Sequence, residues 1–446
     1  MNSLFHKKSI QKLLLILKNK KSKDFLIKSS FKNLNKYEKK IESLVKFDKK
    51  IVYNYKKNLI NILDKRLLYI PFGIKDIFNV KQFTNEKGSV IYKNFNPGNN
   101  ARVVDRLLAS GAIPFGKTVT SEFAVHELNK TKNPYDFTKT PGTSSSGSAA
   151  SVACGYYPFS LGTQTAGSII RPASYCNIWG FKPSFGLIPR TGVLKTTDSL
   201  DSIGFFCSNG ENIKYLLDIM RVSGRNYPFI YKNIDSKINM LNKSKKIYKI
   251  AFVKTHTWNY AENYVKLAIE NFLNKIDNNS KFLVKEIKLP NIYDEIHYNH
   301  EAIYTKSLSY YFKNEFKNRE KLLSKNISNM IEKGNKINKD QFIRSHHFQN
   351  KIISTSNKIF NNYDAVISIS TSESAPLREK IPLDDPSLMW TFLHMPSMNA
   401  PIFRCPKNMP FGIQFTAKKF NDYQLLRVLK ELFNEKIIYA NPYDNI

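Results

Sequence analysis

An α/β fold, built on a central mixed but mostly parallel twisted sheet with helices on both sides, is predicted by three features of this sequence. From Leu68 onward, short apolar runs (68–70, 74–80, 112–115, 157–161) alternate with helix-like segments (103–110, 148–155), the pattern of strands and helices stacked around one sheet. The chain has 446 residues, 42% hydrophobic and 24% charged, enough to bury a large core and unlike a disordered chain. A long stretch at 255–355, rich in Lys, Asn and Glu, interrupts the strand-like runs and predicts a helical insertion lobe.

In chain order, residues 1–66 read as a helical arm packed on the core. Leu44, Val45 and Ile51, then Leu59, Ile60 and Leu63, recur near helical spacing between lysines. The arm carries roughly 19 Lys/Arg against about 5 Asp/Glu, as a solvated face would. Residues 67–446 then form the main domain. Within it, 208–233 reads as a helix followed by a loop and 249–254 as a strand. Residues 260–276 and 298–353 read as lobe helices, 364–369 and 411–415 as returning strands, and 422–433 as a closing helix.

The net charge of +33 is the loudest compositional feature. A basic surface concentrates nucleic acid or anionic lipid. Here lysine is enriched along the whole chain together with Asn, Ile and Tyr, and it greatly outnumbers the arginine suited to bidentate phosphate contacts. Compositional bias is therefore the simpler reading, and no nucleic-acid partner is expected unless the chain serves in a tRNA-dependent assembly. No apolar run is long enough to span a bilayer and no secretory leader is evident, which makes the cytoplasm the expected compartment and excludes a membrane partner. Cys154, Cys176, Cys207 and Cys405 have neither disulfide-framework nor zinc spacing and read as small buried hydrophobes.

Chemistry concentrates in two small-residue loops. Thr165-Ala166-Gly167-Ser168 lets consecutive backbone N–H groups converge, as an oxyanion hole requires, and it presents a serine hydroxyl. Serine needs a base. None of the eight histidines makes a compelling partner, whereas Lys75 lies in an apolar run (Tyr69 to Ile74), where burial would lower its pKa from the usual value near 10.4. Ser144, within Gly142-Thr143-Ser144-Ser145-Ser146-Gly147, can relay a proton between Ser168 and Lys75.

The run Pro141 to Ala150, then Gly162-Thr163-Gln164-Thr165-Ala166-Gly167-Ser168-Ile169-Ile170-Arg171-Pro172-Ala173, then Gly180 to Gly186, resembles the signature of the amidase signature family. Gly116-Lys117-Thr118, Ser199-Leu200-Asp201 and Met409 to Gln414 extend the resemblance from about residue 24 to the C-terminus. It implies that Lys75 is the base, that Ser144 follows a cis peptide, and that Ser168 is the acyl-enzyme nucleophile. The N–H groups of Thr165, Ala166, Gly167 and Ser168 would be the oxyanion donors. Thr143 and Ala166 stand where glycines are common, a source of strain if either backbone has positive φ.

Gln164 and the placement of Arg171 resemble the small-amide branch containing malonamidase. They make both residues candidate substrate contacts, with Arg171 either clamping a substrate carboxylate or forming an internal ion pair. The implied activity is hydrolysis of a small-molecule carboxamide with no metal, nucleotide or other cofactor. The alternative is the glutaminase (A) subunit of an aminoacyl-tRNA amidotransferase, which would require a partner. Homodimerisation is left open, and Trp390, His394, Met395 and Asn399 are further candidates for pocket walls.

Overall fold

The computed structural model describes residues 3–19, 23–59, 62–222, 245–380 and 385–445. Among the described residues eleven strands form one sheet: β1 (Leu44–Lys46), β2 (Pro71–Lys75), β3 (Ile113–Thr118), β4 (Phe159–Gln164), β5 (Trp179–Lys182), β6 (Ser202–Cys207), β7 (Tyr248–Phe252), β8 (Phe282–Glu286), β9 (Ala365–Ile369), β10 (Ser397–Arg404) and β11 (Pro410–Thr416). Their spatial order is β1-β3-β2-β4-β6-β5-β10-β11-β9-β7-β8.

The sheet is mixed, as the sequence predicts, but the parallel share is smaller than expected. The pairs β2–β3, β2–β4, β7–β8 and β7–β9 are parallel. The pairs β1–β3, β10–β11, β5–β10, β9–β11, β4–β6 and β5–β6 are antiparallel. The reason lies in the connections. No helix intervenes between β5 and β6, and only residues 405–409 join β10 to β11, whereas a parallel neighbour needs a longer crossover.

In the arm, helices Ile10–Lys18, Phe25–Ile41 and Lys49–Lys57 are present, but residues 44–46 are a strand where a helix was expected. Leu44 pairs with Thr118 at the edge of β3, and tertiary pairing overrides the local helical spacing there. Phe5, Ile10, Leu13, Leu26 and Ile27 are buried in the main core. The expected loop of 208–233 lies outside the described residues beyond 222, after helix Asn212–Met220.

The stretch 255–355 is not wholly helical either. Helices Asn263–Asp277, Ile296–Tyr311, Lys313–Arg319, Lys325–Lys336 and Lys339–Ile359 are accompanied by the edge strand β8. Ile303, Leu308, Ile327, Ile331 and Ile352 of these helices meet Trp390, Phe392 and Leu393 in a second apolar cluster. All four cysteines are buried and unpaired. Among the described residues no helix is long and apolar enough to cross a membrane.

Candidate active site

Lys75 ends β2, and β4, its parallel neighbour, ends at Gln164. The two strands therefore open onto the same carboxyl edge, where α/β folds place their sites. The chain leaves β3 and reaches helix Ser146–Ala153, every residue of which is buried. Only small residues allow this packing: a Cβ on Gly147 would lie 2.3 Å from the Ser43 carbonyl oxygen and 2.4 Å from the Val119 nitrogen. Ser148 ties the helix down by contacting Thr118 Oγ1 at 2.6 Å and donating to the Leu161 carbonyl at 2.9 Å. Ser144 stands just before this helix, and the Thr143–Ser144 peptide is cis.

Among the described residues three lysines are completely buried, Lys75, Lys117 and Lys182, so burial alone does not distinguish Lys75. Their partners do. Lys117 forms a buried ion pair with Asp76 at 2.8 Å, and Lys182 donates to the carbonyls of Met395 and Pro183. Lys75 Nζ instead lies 2.7 Å from Ser144 Oγ and 2.9 Å from Thr163 Oγ1. Burial lowers its pKa from the ordinary lysine value to about 7, and the more distant charge of Asp201 opposes that shift. A neutral amine facing a serine hydroxyl is thus available near neutral pH.

Ser168 follows β4 and precedes helix Ile170–Tyr175, and it is 9% exposed. Its loop is held from several directions. Gln164 Oε1 accepts from the backbone N–H groups of Ile169 and Ile170 at 2.8 and 3.0 Å, while Gln164 Nε2 donates to Thr391 Oγ1 at 2.9 Å. Thr391 Oγ1 donates to the Ala166 carbonyl at 2.7 Å, and Thr165 Oγ1 donates to Asp201 Oδ1 at 2.8 Å. Neither Thr143 nor Ala166 has positive φ, so the residues standing where glycine is common carry no strain of that kind.

The two residues expected as substrate contacts both hydrogen-bond within the protein. Gln164 braces the Ser168 loop in the way just described. Arg171 donates through Nη1 to Asp385 Oδ2 at 2.7 Å and through Nη2 to the Thr143 carbonyl at 2.9 Å, with both charged side chains 4% exposed. The internal ion pair is therefore the arrangement observed. Asp385 in turn packs on the loop, because a Cβ on Gly167 would fall 1.8 Å from Asp385 Oδ2. Arg171→Met is expected to destabilise the fold by about 3–5 kcal/mol through the stranded carboxylate, and Arg171→Met/Asp385→Leu to regain much of it. Thermal unfolding checks both; an unchanged midpoint with a raised KM would instead mark Arg171 as a substrate clamp.

Thr163, Thr391 and His300, which contact Lys75 or the Ser168 loop, were not among the sequence candidates, and Asp201 entered only as part of a resembling motif. Thr163 was legible in principle, being at the end of the strand beside β2. Of the pocket-wall candidates, Trp390 donates to Ser368 Oγ and Asn399 Nδ2 to the Ile178 carbonyl, both buried. His394 Nε2 lies 2.6 Å from the Ser199 carbonyl oxygen, and Met395 is buried.

Fold and site together define an α/β enzyme whose polar centre sets a buried lysine against a serine that follows a cis peptide. Residues 26–426 match the amidase family pattern. The chain is 38% identical over 227 residues to the A subunit of the Glutamyl-tRNA(Gln) amidotransferase of Bacillus licheniformis, a match covering 48% of this chain and 47% of that protein, so this alignment spans about half of either. Against the protein of the same name from Staphylococcus aureus it is 27% identical over 472 residues, covering 94% and 95% of the two chains. A solved structure described as a vestigial protein complex bearing on the origins of an s-triazine catabolic enzyme superposes with a TM-score of 0.87 at 21% identity, covering 97% of this chain and 99% of that one. The chain belongs to the amidase family, and the enzyme class this implies acts on carbon–nitrogen amide bonds.

Proposed function

We propose that this enzyme hydrolyses the amide bond of a small carboxamide through an acyl-enzyme on Ser168. The observation that carries the reading is the fully buried Lys75 amine, 2.7 Å from Ser144 Oγ, with a pKa brought down to about 7. In the first step Ser168 Oγ attacks the amide carbonyl, its proton passes to Ser144 Oγ, and the Ser144 proton passes to Lys75. The oxyanion takes hydrogen bonds from the N–H groups of the 165–168 loop, and collapse of the intermediate breaks the C–N bond. The leaving ammonia or amine recovers the proton through Ser144. Water then attacks the ester under the same base, releasing the acid and restoring Ser168. In this reading the enzyme works in the cytoplasm on a small molecule, without cofactor, nucleic acid or membrane.

Because the base must be neutral, raising pH through about 7 should increase activity, and lowering it should protonate Lys75 and remove the base. The expected profile of kcat/KM is a limb of unit slope below about pH 7 and a plateau above it. A flat profile from pH 5 to 8 would contradict the role of Lys75.

A second reading, the glutaminase component of an aminoacyl-tRNA amidotransferase, is favoured by the identities to the Bacillus and Staphylococcus proteins and is compatible with the +33 charge. A panel of small carboxamides, with glutamine included, assayed on the purified chain separates the two. Turnover by the chain alone supports the first reading, and glutaminase activity appearing only with a copurifying tRNA-binding partner supports the second.

A further inference from the structure

Helix Ile296–Tyr311 belongs to the insertion, far in sequence from both serine loops, yet one of its side chains reaches the loop that presents Ser168. His300 Nε2 lies 2.9 Å from the Thr165 carbonyl oxygen, across 135 residues of chain. A carbonyl only accepts, so Nε2 carries the hydrogen and donates it. The imidazole is buried, which lowers its pKa to about 4, so near neutral pH the ring is uncharged and Nδ1 is the bare nitrogen. Tyr304 and Phe392 hold the ring, with centroid separations of 5.8 and 6.4 Å, which restricts the direction of that donor.

The peptide unit that accepts this bond is the one whose N–H belongs to Ala166. Among the described residues the cis linkage is at Thr143–Ser144, so the 165–166 peptide is trans and its N–H points opposite to its carbonyl. Drawing Thr165 O towards the insertion helix therefore turns the Ala166 N–H away from that helix. Thr391 acts in the same manner one residue later: by donating to Ala166 O at 2.7 Å it orients the Gly167 N–H. Two side chains from distant segments thus set two successive peptide planes, in a loop where Ala166 and Gly167 have almost no side chain of their own to lock them.

We infer that His300 is a positioning residue for amide cleavage: its Nε2–H bond to Thr165 O fixes the direction of the Ala166 N–H and makes the insertion lobe part of the oxyanion site. The inference rests on the proposed reading of Ser168 as nucleophile and the 165–168 loop as anion-stabilising. An oxyanion donor acts mainly in the transition state, so its misdirection lowers kcat more than it raises KM.

The test compares wild type, His300→Phe and His300→Gln in the full chain, on the amide that wild type turns over best. Phenylalanine keeps the ring and loses the donor, while glutamine returns an amide N–H near the place of Nε2. His300→Phe is expected to lower kcat by about 10- to 100-fold with KM changed by about twofold or less, and His300→Gln to recover at least a large part of that loss. Should the phenylalanine variant not fold, His300→Asn, whose amide is too short to reach Thr165 O, takes its place with the same expected loss. A wild-type kcat in the donor-less variant, a change confined to KM, or a loss that glutamine leaves unrepaired would each overturn the assignment. Ser168→Ala assayed alongside separates the two levels: an active alanine variant removes the underlying reading, whereas an inactive one beside an unimpaired His300→Phe removes the role of His300 alone.

Discussion

Ser168→Ala is expected to lower amide turnover by about 10⁴-fold or more, because it removes the atom that forms the acyl bond. The change deletes one hydroxyl from a nearly buried side chain, and the loop keeps its ties through Gln164, Thr391 and Asp201. The thermal midpoint should therefore stay close to wild type while turnover disappears. Steady-state assays at high enzyme concentration, with an unfolding scan on the same sample, distinguish loss of chemistry from loss of fold. Substantial residual turnover would mean that another group attacks the carbonyl.

The second large effect concerns the base. Lys75→Ala is expected to cost about 10²–10⁴-fold in kcat/KM, the range associated with removing a general base. Stability should not fall in proportion, since burial already disfavours the charged amine. Lys75→Met fills most of the volume with apolar atoms and controls for the cavity that alanine leaves. Both variants should also lose the limb of the pH profile near pH 7. A variant that kept that limb would assign the titration elsewhere, and Lys182, whose burial also brings its pKa to about 7, would be the group to examine.

The parts of the site that could be read from sequence are those carried by local composition. Ser144 and Ser168 sit in loops of small residues that only a close-packed backbone would require, and Lys75 is one of the few lysines within an apolar run. The structure brings Lys75 and Ser144 into hydrogen-bond contact across 69 residues. The protein contacts of Arg171 and Gln164 were not legible, because a polar residue beside a small-residue loop looks the same in sequence whether it faces a ligand or the protein. Their partners, Asp385 and Thr391, lie more than 200 residues away. His300 shares a helix face with Ile296, Ile303 and Tyr304, all buried, so its inward position was legible, but its partner Thr165, 135 residues away, was not.

The fold shows the same division. Strands β3, β4, β7, β9 and β11 follow apolar runs that the sequence displays, with ends shifted by a few residues, whereas β2 falls largely between the runs 68–70 and 74–80. Strand β10 contains Pro401, which argues against a central strand, yet the register shift between Pro401 and Phe403 accommodates it. Strands β5 and β6 place glycines at 180 and 204 where other groups crowd in: a Cβ on Gly204 would meet the Phe181 carbonyl oxygen at 2.5 Å. The parallel character was overestimated because strand-helix alternation between residues 68 and 161 was extended to later strands that turn back through the helix-free segment 183–201 and the short link 405–409.

The most direct test of a neutral buried lysine activating a serine is the site and pH dependence of covalent labelling. A fluorophosphonate applied to the native chain and mapped by peptide mass spectrometry should modify Ser168, at a rate that is half-maximal near pH 7 and falls steeply in Lys75→Ala. Adducts on another residue, or labelling of Ser168 at a rate indifferent to both pH and Lys75, would contradict it.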